Sequence, residues 1–300
     1  MVQPGPNDVD EAVEIAVNSM GDACKESEIA FFGGSFTAIK KDYMVSLLQA
    51  AYKYVKPGIV RGIRISTRPD AIDNEVLSTL KKYGVTTIEL GAQCMDDNVL
   101  IMNRRGHSVD DVYNASRLIK QNGFALGLQM MTGLYGSSDE HDINTCREFI
   151  GIKPDCVRIY PTIVLKNTML AELYKSGAYE PQSVEHAVEL CSKLLPMFNE
   201  ASIPVIRLGL HTIDENDYVA GPWHPAFGEL CEGRIFYDII KKRVEPGKSY
   251  IIGVSPSSVS KAIGQKRTNI LSFANDGIKI KVVSDQTLSS YEIKVKEVIQ

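Results

Sequence analysis

The sequence lacks the features that would take it out of the ordinary globular class. It has no apolar run long enough to span a bilayer, and its first residues form neither a basic nor an apolar leader segment. Tryptophan occurs once in 300 residues, and no low-complexity tract interrupts the chain. We therefore predict a cytoplasmic protein, with no membrane partner and a sizeable buried core.

Clustered cysteine is also absent. The chain has six scattered cysteines: Cys24, Cys94, Cys146, Cys156, Cys191 and Cys231. No two of them have the C-x-x-C spacing of a zinc ribbon or a redox pair. Cysteines placed in this way are mostly small buried hydrophobic residues, and we expect this of Cys94, the one cysteine near a strand end; a nucleophile or a lone metal ligand is the alternative there.

An excess of positive charge is missing as well. The chain has 33 Lys and Arg against 37 Asp and Glu, a formal net charge of −4. No global basic field therefore points to nucleic acid, although a local basic patch stays open. RNA is an alternative partner that the net charge does not support.

The chain does contain a regular alternation of strand and helix patterns. An amphipathic segment at 8–20, with Asp8 as its predicted N-cap, is followed by an apolar run at 28–32, and the alternation continues to about residue 210. This rhythm predicts right-handed βαβ units and a parallel sheet. We predict an α/β fold, a partial (β/α)6 TIM-like barrel over 1–212, followed by a small α/β extension over 213–300.

Polar motifs follow the predicted strands. In parallel barrels the active site lies at the C-terminal strand ends, so this placement predicts an enzyme. The motifs contain Gly33, Gly34, Ser35, Ser66, Thr67, Arg68, Gln93, Arg105, Gln129, Arg158 and Tyr160.

Some of these residues have a chemical reason to be there. A glycine pair lets a ligand approach the backbone closely, although a tight turn is the simpler interpretation of Gly33-Gly34. Arg105 suits bidentate capture of a carboxylate. Arg158 lies inside an apolar strand, where it either serves the site or forms an ion pair with Glu89.

Taken together and in order, the motifs resemble the radical S-adenosylmethionine superfamily. The likeness is to the branch with the radical domain of the Elongator catalytic subunit and the oxygen-independent coproporphyrinogen oxidases. It covers about 28–177. The residues that carry it are Gly33-Gly34-Ser35-Phe36-Thr37, Thr67-Arg68-Pro69-Asp70, Arg105-Gly106-His107 and Ile159-Tyr160-Pro161-Thr162.

The resemblance implies S-adenosylmethionine as cofactor. Gly33, Gly34 and Ser35 would contact its amino group, and Arg105 would pair with its carboxylate. Ser66 and Thr67 would lie near the carboxylate or ribose, with Gln93 and Gln129 on the ribose side. Arg68, Arg158 and Tyr160 complete the implied cofactor site. No catalytic side chain is implied.

In that family a four-iron four-sulfur cluster donates an electron to S-adenosylmethionine. Reductive cleavage gives a 5′-deoxyadenosyl radical, which abstracts hydrogen from a substrate that is unknown here. An electron donor protein such as flavodoxin or ferredoxin is implied as partner.

One departure from the family concerns the cluster. Its three ligands, C-x-x-x-C-x-x-C, should precede the glycine pair, where only Cys24 stands. The barrel strand before the first helix is missing too. We therefore expect an N-terminally shortened enzyme without its cluster ligands, inactive as it stands, whose 28–32 strand is a bare sheet edge that favours oligomers.

Two alternatives to this reading stay open. One is a non-catalytic barrel that binds S-adenosylmethionine, a related nucleoside or RNA. The other is a phosphate-handling barrel enzyme, which is weakened because no strand end carries a clear glycine-rich phosphate loop.

Overall fold

A computed structural model describes residues 3–33, 35–210 and 213–298. Its strands are β1 Glu28–Phe31, β2 Gly62–Thr67, β3 Val85–Gln93, β4 Ala125–Thr132, β5 Cys156–Pro161, β6 Val164–Leu165, β7 Val205–Leu208, β8 Tyr218–Ala220, β9 Ser249–Val254, β10 Lys279–Ser284 and β11 Ile293–Glu297. Its helices are α1 Pro6–Met20, α2 Lys41–Val55, α3 Asn74–Lys82, α4 Asp97–Met102, α5 Val109–Gln121, α6 Asp139–Ile152, α7 Met169–Lys175, α8 Val184–Glu200, α9 Phe227–Lys241, α10 Val259–Ile263 and α11 Thr268–Asn275. Among the residues so described, no helix has both the length and the apolar character needed to cross a membrane.

The first of two compact units comprises Met1–Tyr160 and Ala201–Ile206. A curled, parallel six-stranded sheet with the order β1-β2-β3-β4-β5-β7 organises it. The predicted partial TIM-like barrel is therefore confirmed. β1 lies at one end of this order and pairs in parallel with β2.

The middle strands of this sheet are almost fully buried, as expected for a parallel sheet that helices cover. β2 pairs with β3, and β3 with β4, in parallel. Glu89 stands opposite Gly127 in the β3–β4 register, which then shifts between Leu90 and Gln93. Such a bulge changes the direction of the side chains that follow it.

The start of α1 differs from the prediction. The helix begins at Pro6, with Gly5 at its N-cap, and the Asp8 carboxylate accepts a hydrogen bond from the Gly5 backbone N–H at 2.6 Å. The prediction that Asp8 caps the helix is wrong. Proline at the first helical position sets the start instead, because its fixed φ suits that position and its missing N–H is not needed there.

The second unit comprises Pro161–Glu200 and Arg207–Gln300. Its three-stranded sheet has the order β10-β9-β11, with β10 parallel and β11 antiparallel to β9. One face of that sheet packs on a core that includes Phe236, Tyr250, Ile252, Val254 and Phe273. β6 and β8 form a separate antiparallel pair. The domain boundary between residues 212 and 213 stays a prediction.

Candidate active site at the strand ends of the first unit

A buried carboxylate, that of Glu89 on β3, lies at the centre of the polar side chains. The residue is fully buried. Arg64 Nη1 donates to Glu89 Oε1 at 2.7 Å, and Arg158 donates to both carboxylate oxygens at 2.7 and 3.0 Å. Burial alone would raise the pKa of Glu89, but hydrogen bonds from Arg158, Gln129 and Arg64 outweigh it and lower the pKa. Glu89 is therefore ionised and held in one position.

Gln129 extends this network towards the end of β4. Its Nε2 donates to Glu89 Oε2 at 2.8 Å and to Ser66 Oγ at 3.1 Å. Both amide hydrogens are thus used, and the Glu89 carboxylate fixes which end of the amide is nitrogen, since it can only accept. The Gln129 carbonyl oxygen is left to accept a hydrogen bond from another group.

Arg64 joins Glu89 to a second carboxylate, that of Glu28 on β1. Arg64 Nε and Nη2 donate to Glu28 Oε2 at 2.9 and 2.7 Å. The hydroxyls of Thr86 and Thr87 donate to Glu28 Oε1 at 2.7 Å each. β1, β2, β3 and β5 are therefore tied together by ionic side chains, which fixes the relative positions of their ends.

Gln93, at the end of the bulge in β3, has a left-handed backbone conformation. Gln93 has a φ of +68°, and its Oε1 is buried without a hydrogen-bond partner in the described part of the chain. A Cβ added to Gly91 would lie 2.8 Å from Gln93 Nε2, so glycine leaves room for the amide. A buried acceptor without a donor is costly, so this oxygen is a candidate contact for a ligand that carries a donor.

Arg105 forms no ion pair within the described part of the chain. Its Nε is buried and unpartnered, and no carboxylate among the described residues forms an ion pair with it. Burial, and next the nearby Arg68, lower the pKa of Arg105. Since a guanidinium with a buried Nε is costly to leave unpaired, this position fits an anionic ligand group.

Arg68 links the loop after β2 to the Arg105 segment. Its guanidinium binds Asp70 in two hydrogen bonds, with Nε to Oδ1 at 2.8 Å, and Nη2 also donates to the Gly106 carbonyl at 3.3 Å. A side chain at Gly106 would collide with Arg68, since an added Cβ would lie 2.9 Å from Nη2. Arg68 therefore fixes the backbone next to Arg105.

Thr67 holds the loop after β1 in place. The Thr37 backbone N–H donates to Thr67 Oγ1 at 3.2 Å, and the two hydroxyls lie 2.6 Å apart. Thr37 Oγ1 donates to the Ala71 carbonyl, so Thr67 is the donor to Thr37. Gly33 in that loop has a φ of +145° with open space around it, and Ser35 follows half-buried. Gly34 lies outside the described residues.

Arg158 and Tyr160 stand on β5. The Arg158 guanidinium lies 4.8 Å from the centre of the exposed Phe32 ring, in addition to its ion pair with Glu89. The ion pair was one of the two predicted interpretations of Arg158, and its part in binding a cofactor stays a prediction. Tyr160 is half-buried.

His107 is buried next to these groups. Its Nε2 lies 3.1 Å from the Ala92 carbonyl, while Nδ1 has no partner among the residues the structure covers. Burial lowers the pKa of His107. The neutral ring donates from Nε2. Nδ1 is then a buried acceptor without a donor among the described residues, like Oε1 of Gln93.

The six cysteines do not form a metal site. All are free and buried, with exposed fractions of 6% or less. Within the described ranges, no group of three His, Cys, Asp or Glu side chains could hold a metal ion. Burial raises the pKa of Cys94, which confirms the prediction of an inert thiol there. The residues present therefore do not fit the four-iron four-sulfur cluster that the family resemblance implies.

The structure brings most of the predicted residues to one edge of the sheet. It also adds Arg64, which the sequence analysis did not single out, and gives contacts to Thr37 and His107, to which the motifs had assigned no role. Arg64 could have been found, because it is a charged residue between Ile63 and Ile65 of β2, next to the strand that carries Glu89. The roles of Thr37 and His107 depend on loop geometry.

Family models and relatives agree on what this barrel is similar to. A model of the radical SAM superfamily matches residues 3–149, and one of the radical SAM C-terminal domain matches 154–236. A tRNA uridine(34) acetyltransferase of Methanocaldococcus jannaschii is 31% identical over 196 residues, which are 59% of this chain and 36% of that protein. Human Elongator complex protein 3 is 32% identical over 201 residues, 60% of this chain and 37% of the relative.

A solved structure resembles the fold. It is the archaeal Elp3 of Methanocaldococcus infernus with an N-terminal deletion, which matches 83% of this chain and 67% of its own at a TM-score of 0.65 and 25% identity. The alignments to the two curated relatives span little more than a third of their length. Two matching family models, these relatives and the half-barrel sheet lead to one conclusion. The chain belongs to the radical S-adenosylmethionine superfamily of enzymes, and within it the chain is Elongator-like.

Proposed function

We propose that the strand ends of the first unit bind S-adenosylmethionine, with Arg105 pairing with its carboxylate. The observation that carries the proposal is the half-buried side chain of Arg105, whose buried Nε has no partner among the described residues and whose pKa is lowered by burial and Arg68. A carboxylate would satisfy the donor and neutralise the charge in a single contact. Arg68 is already paired with Asp70, so Arg105 is the cation that the ligand meets.

The ribose of the same ligand fits the acceptors nearby. Ribose hydroxyls are donors, and the buried Oε1 of Gln93 lacks one. Gln129 holds its N–H groups on Glu89 and Ser66, which leaves its carbonyl oxygen as a second acceptor. Ser66 accepts from Gln129, so its own O–H is free to donate. The site thus offers acceptors and a donor suited to a sugar.

The loop after β1 would receive the amino group. Gly33 has a φ of +145°, and a Cβ added to it would have nothing within 4 Å, so the backbone there is open to a ligand. We propose that carbonyl groups of the Gly33–Ser35 segment accept from the ammonium. Thr67, through Thr37, holds this loop against the strand that carries Ser66.

The chain's residues do not supply the cluster that the family uses to cleave S-adenosylmethionine. This observation favours a second candidate function, a barrel that binds S-adenosylmethionine or a related nucleoside without radical chemistry. Inactivity of these 300 residues, the electron donor partner and the cytoplasmic location stay predictions. Anaerobic treatment with iron and sulfide tests the non-catalytic candidate. Assembly of a cluster by this chain, seen in its visible absorption, would contradict the non-catalytic one.

Calorimetry tests the binding site directly. We expect the wild-type chain to bind both S-adenosylmethionine and 5′-methylthioadenosine, which lacks the amino acid part. Arg105→Gln should weaken S-adenosylmethionine about 10- to 100-fold, as expected for a hydrogen bond to a charged group of about 1.5–3 kcal/mol, and leave methylthioadenosine unchanged. Arg104→Gln, which alters the exposed neighbour, is the control. Equal weakening of both ligands, or none, would overturn the assignment of Arg105.

A further inference from the structure

The basic residues of this chain are concentrated near its C-terminus. Residues 241–300 contain eleven Lys and Arg and five Asp and Glu, a net charge of +6, although the whole chain has −4. The other 240 residues therefore have −10. Both family models end before this segment, the second at residue 236. Such charge asymmetry indicates that residues 241–300 bind a polyanion.

Much of this positive charge lies on one face of the β10-β9-β11 sheet. Along the two outer strands, lysines alternate with residues that face the core, such as Ile280 and Val295. The other face carries four exposed lysines, called the lysine face from here on: Lys279 and Lys281 on β10, with Lys294 and Lys296 on β11.

The strand register sets the spacing of these four charges. Lys281 and Lys296 both stand opposite Ile251 of the central strand, one on each side. Neighbouring strands lie about 4.8 Å apart, so the two rows of lysines are about 10 Å apart. Within a row the lysines are two residues apart, about 7 Å.

Most of the lysine face is not neutralised. Lys294 Nζ lies 2.9 Å from Asp285 Oδ2. For Lys279, Lys281 and Lys296, no ion pair forms within residues 213–298 or elsewhere in the described chain. Like charges held this close repel one another, which is destabilising unless a partner of opposite charge binds.

We propose that the lysine face binds the phosphate backbone of single-stranded RNA. Lysine ammonium groups on a flexible stem act as point charges for phosphates. Of the residues on this face, Ile251 and Val283 are the large apolar ones, both half-buried, and none described is aromatic. A protein partner would call for an apolar or aromatic centre. Binding should therefore be electrostatic and independent of base sequence.

Fluorescence anisotropy with a labelled 20-nucleotide poly(U) tests this. We expect binding by the full chain at about 50 mM salt, falling steeply towards about 200 mM. The triple variant Lys279→Gln/Lys281→Gln/Lys296→Gln should bind at least about tenfold more weakly and lower the slope of log K against log salt by about 2, since each lost contact to a single strand contributes about 0.7. These side chains make no hydrogen bond or ion pair in the described structure, so the variant should melt like the wild type.

The control variant makes the same charge change elsewhere. Lys56→Gln/Lys82→Gln/Lys153→Gln alters three exposed lysines of the first unit and should leave affinity and slope close to the wild type. Equal losses in both variants, or an unchanged slope in the first, would overturn the proposal. A labelled 20-residue polyglutamate that binds more tightly than the RNA would also overturn it, because the partner would then be an acidic protein. The triple variant of the lysine face should bind S-adenosylmethionine like the wild type. A negative result for RNA binding therefore leaves the proposal for the cofactor site unaffected.

Discussion

Gln129 donates a hydrogen bond to the fully buried carboxylate of Glu89, with Nε2 and Oε2 2.8 Å apart. Because Glu89 also binds Arg64 and Arg158, one carboxylate orients three side chains that approach from three different strands. The orientation of Gln129 is thus set by the Glu89 carboxylate, which itself has no exposed surface. An arrangement of this kind positions an acceptor without relying on a flexible loop.

Loss of the Glu89 charge should destabilise the fold strongly. Glu89→Gln leaves the half-buried guanidinium groups of Arg64 and Arg158 without their shared buried carboxylate, and Arg64 keeps only Glu28. We expect a loss of about 3–5 kcal/mol in the free energy of unfolding. Urea denaturation measures it. Glu140→Gln breaks the exposed pair with Arg147 and should cost less than about 1 kcal/mol. Similar losses in the two variants would mean that the buried network contributes little.

The space for Glu89 depends on a glycine. A Cβ on Gly127 would lie 2.6 Å from Glu89 Cγ and 3.2 Å from Cys156 Sγ. Gly127→Ala should therefore destabilise the protein by about 1–3 kcal/mol. Gly151 in α6 has nothing within 4 Å of an added Cβ, and Gly151→Ala should stabilise by about 0.5–1 kcal/mol. Thermal or urea unfolding of both variants checks the opposite signs.

The stability of the wild type relative to Asp142→Asn should increase as the pH falls into the mildly acid range. Burial raises the pKa of Asp142 from 3.8 to about 6, although Gly133 N–H and Ser137 Oγ donate to the carboxylate. The native state therefore holds the proton more tightly than the unfolded chain. The wild type should gain up to about 3 kcal/mol relative to Asp142→Asn as pH falls from 6 to 4. A difference in unfolding free energy that stays flat over this range would contradict the raised pKa.

The Glu89 network has the opposite dependence. Since the pKa of Glu89 is lowered in the folded state, its stabilising effect is complete at neutral pH and is lost as pH falls through that lowered pKa. Glu89→Gln should thus lie furthest below the wild type at neutral pH and approach it in acid. A gap that widens on acidification would be evidence that Glu89 is protonated in the native protein.

The elements of the barrel could be predicted from sequence because hydrophobic period and turn residues determine them locally. The apolar pattern predicts a strand over 62–66, and β2 ends one residue later, at Thr67. α11 was missed, since Lys266 and Arg267 before it adopt left-handed backbone without glycine and no capping side chain marks its start. β11 was missed because its Ile-Lys-Val-Lys-Glu alternation is short.

The site was predictable in position and less so in chemistry. Parallel strands bring their C-terminal ends to one edge, so Ser66, Gln93 and Gln129 could be placed there from order alone. Which arginine is free could not be known. Arg68 pairs with its near neighbour Asp70, Arg158 pairs with Glu89, and Arg105 forms no ion pair among the described residues. The contact between Arg158 and Glu89 joins segments far apart in sequence. Gly34 lies outside the described residues, and its role stays a prediction.

The burial of every cysteine gives the molecule a built-in set of reporters. Four thiols, those of Cys24, Cys94, Cys146 and Cys156, lie in the first unit, while Cys191 and Cys231 lie in helices of the second. A thiol reagent can reach any of them only when the surrounding structure opens. Mass-resolved labelling rates would thus give a local opening free energy at six points, without any substitution in the chain.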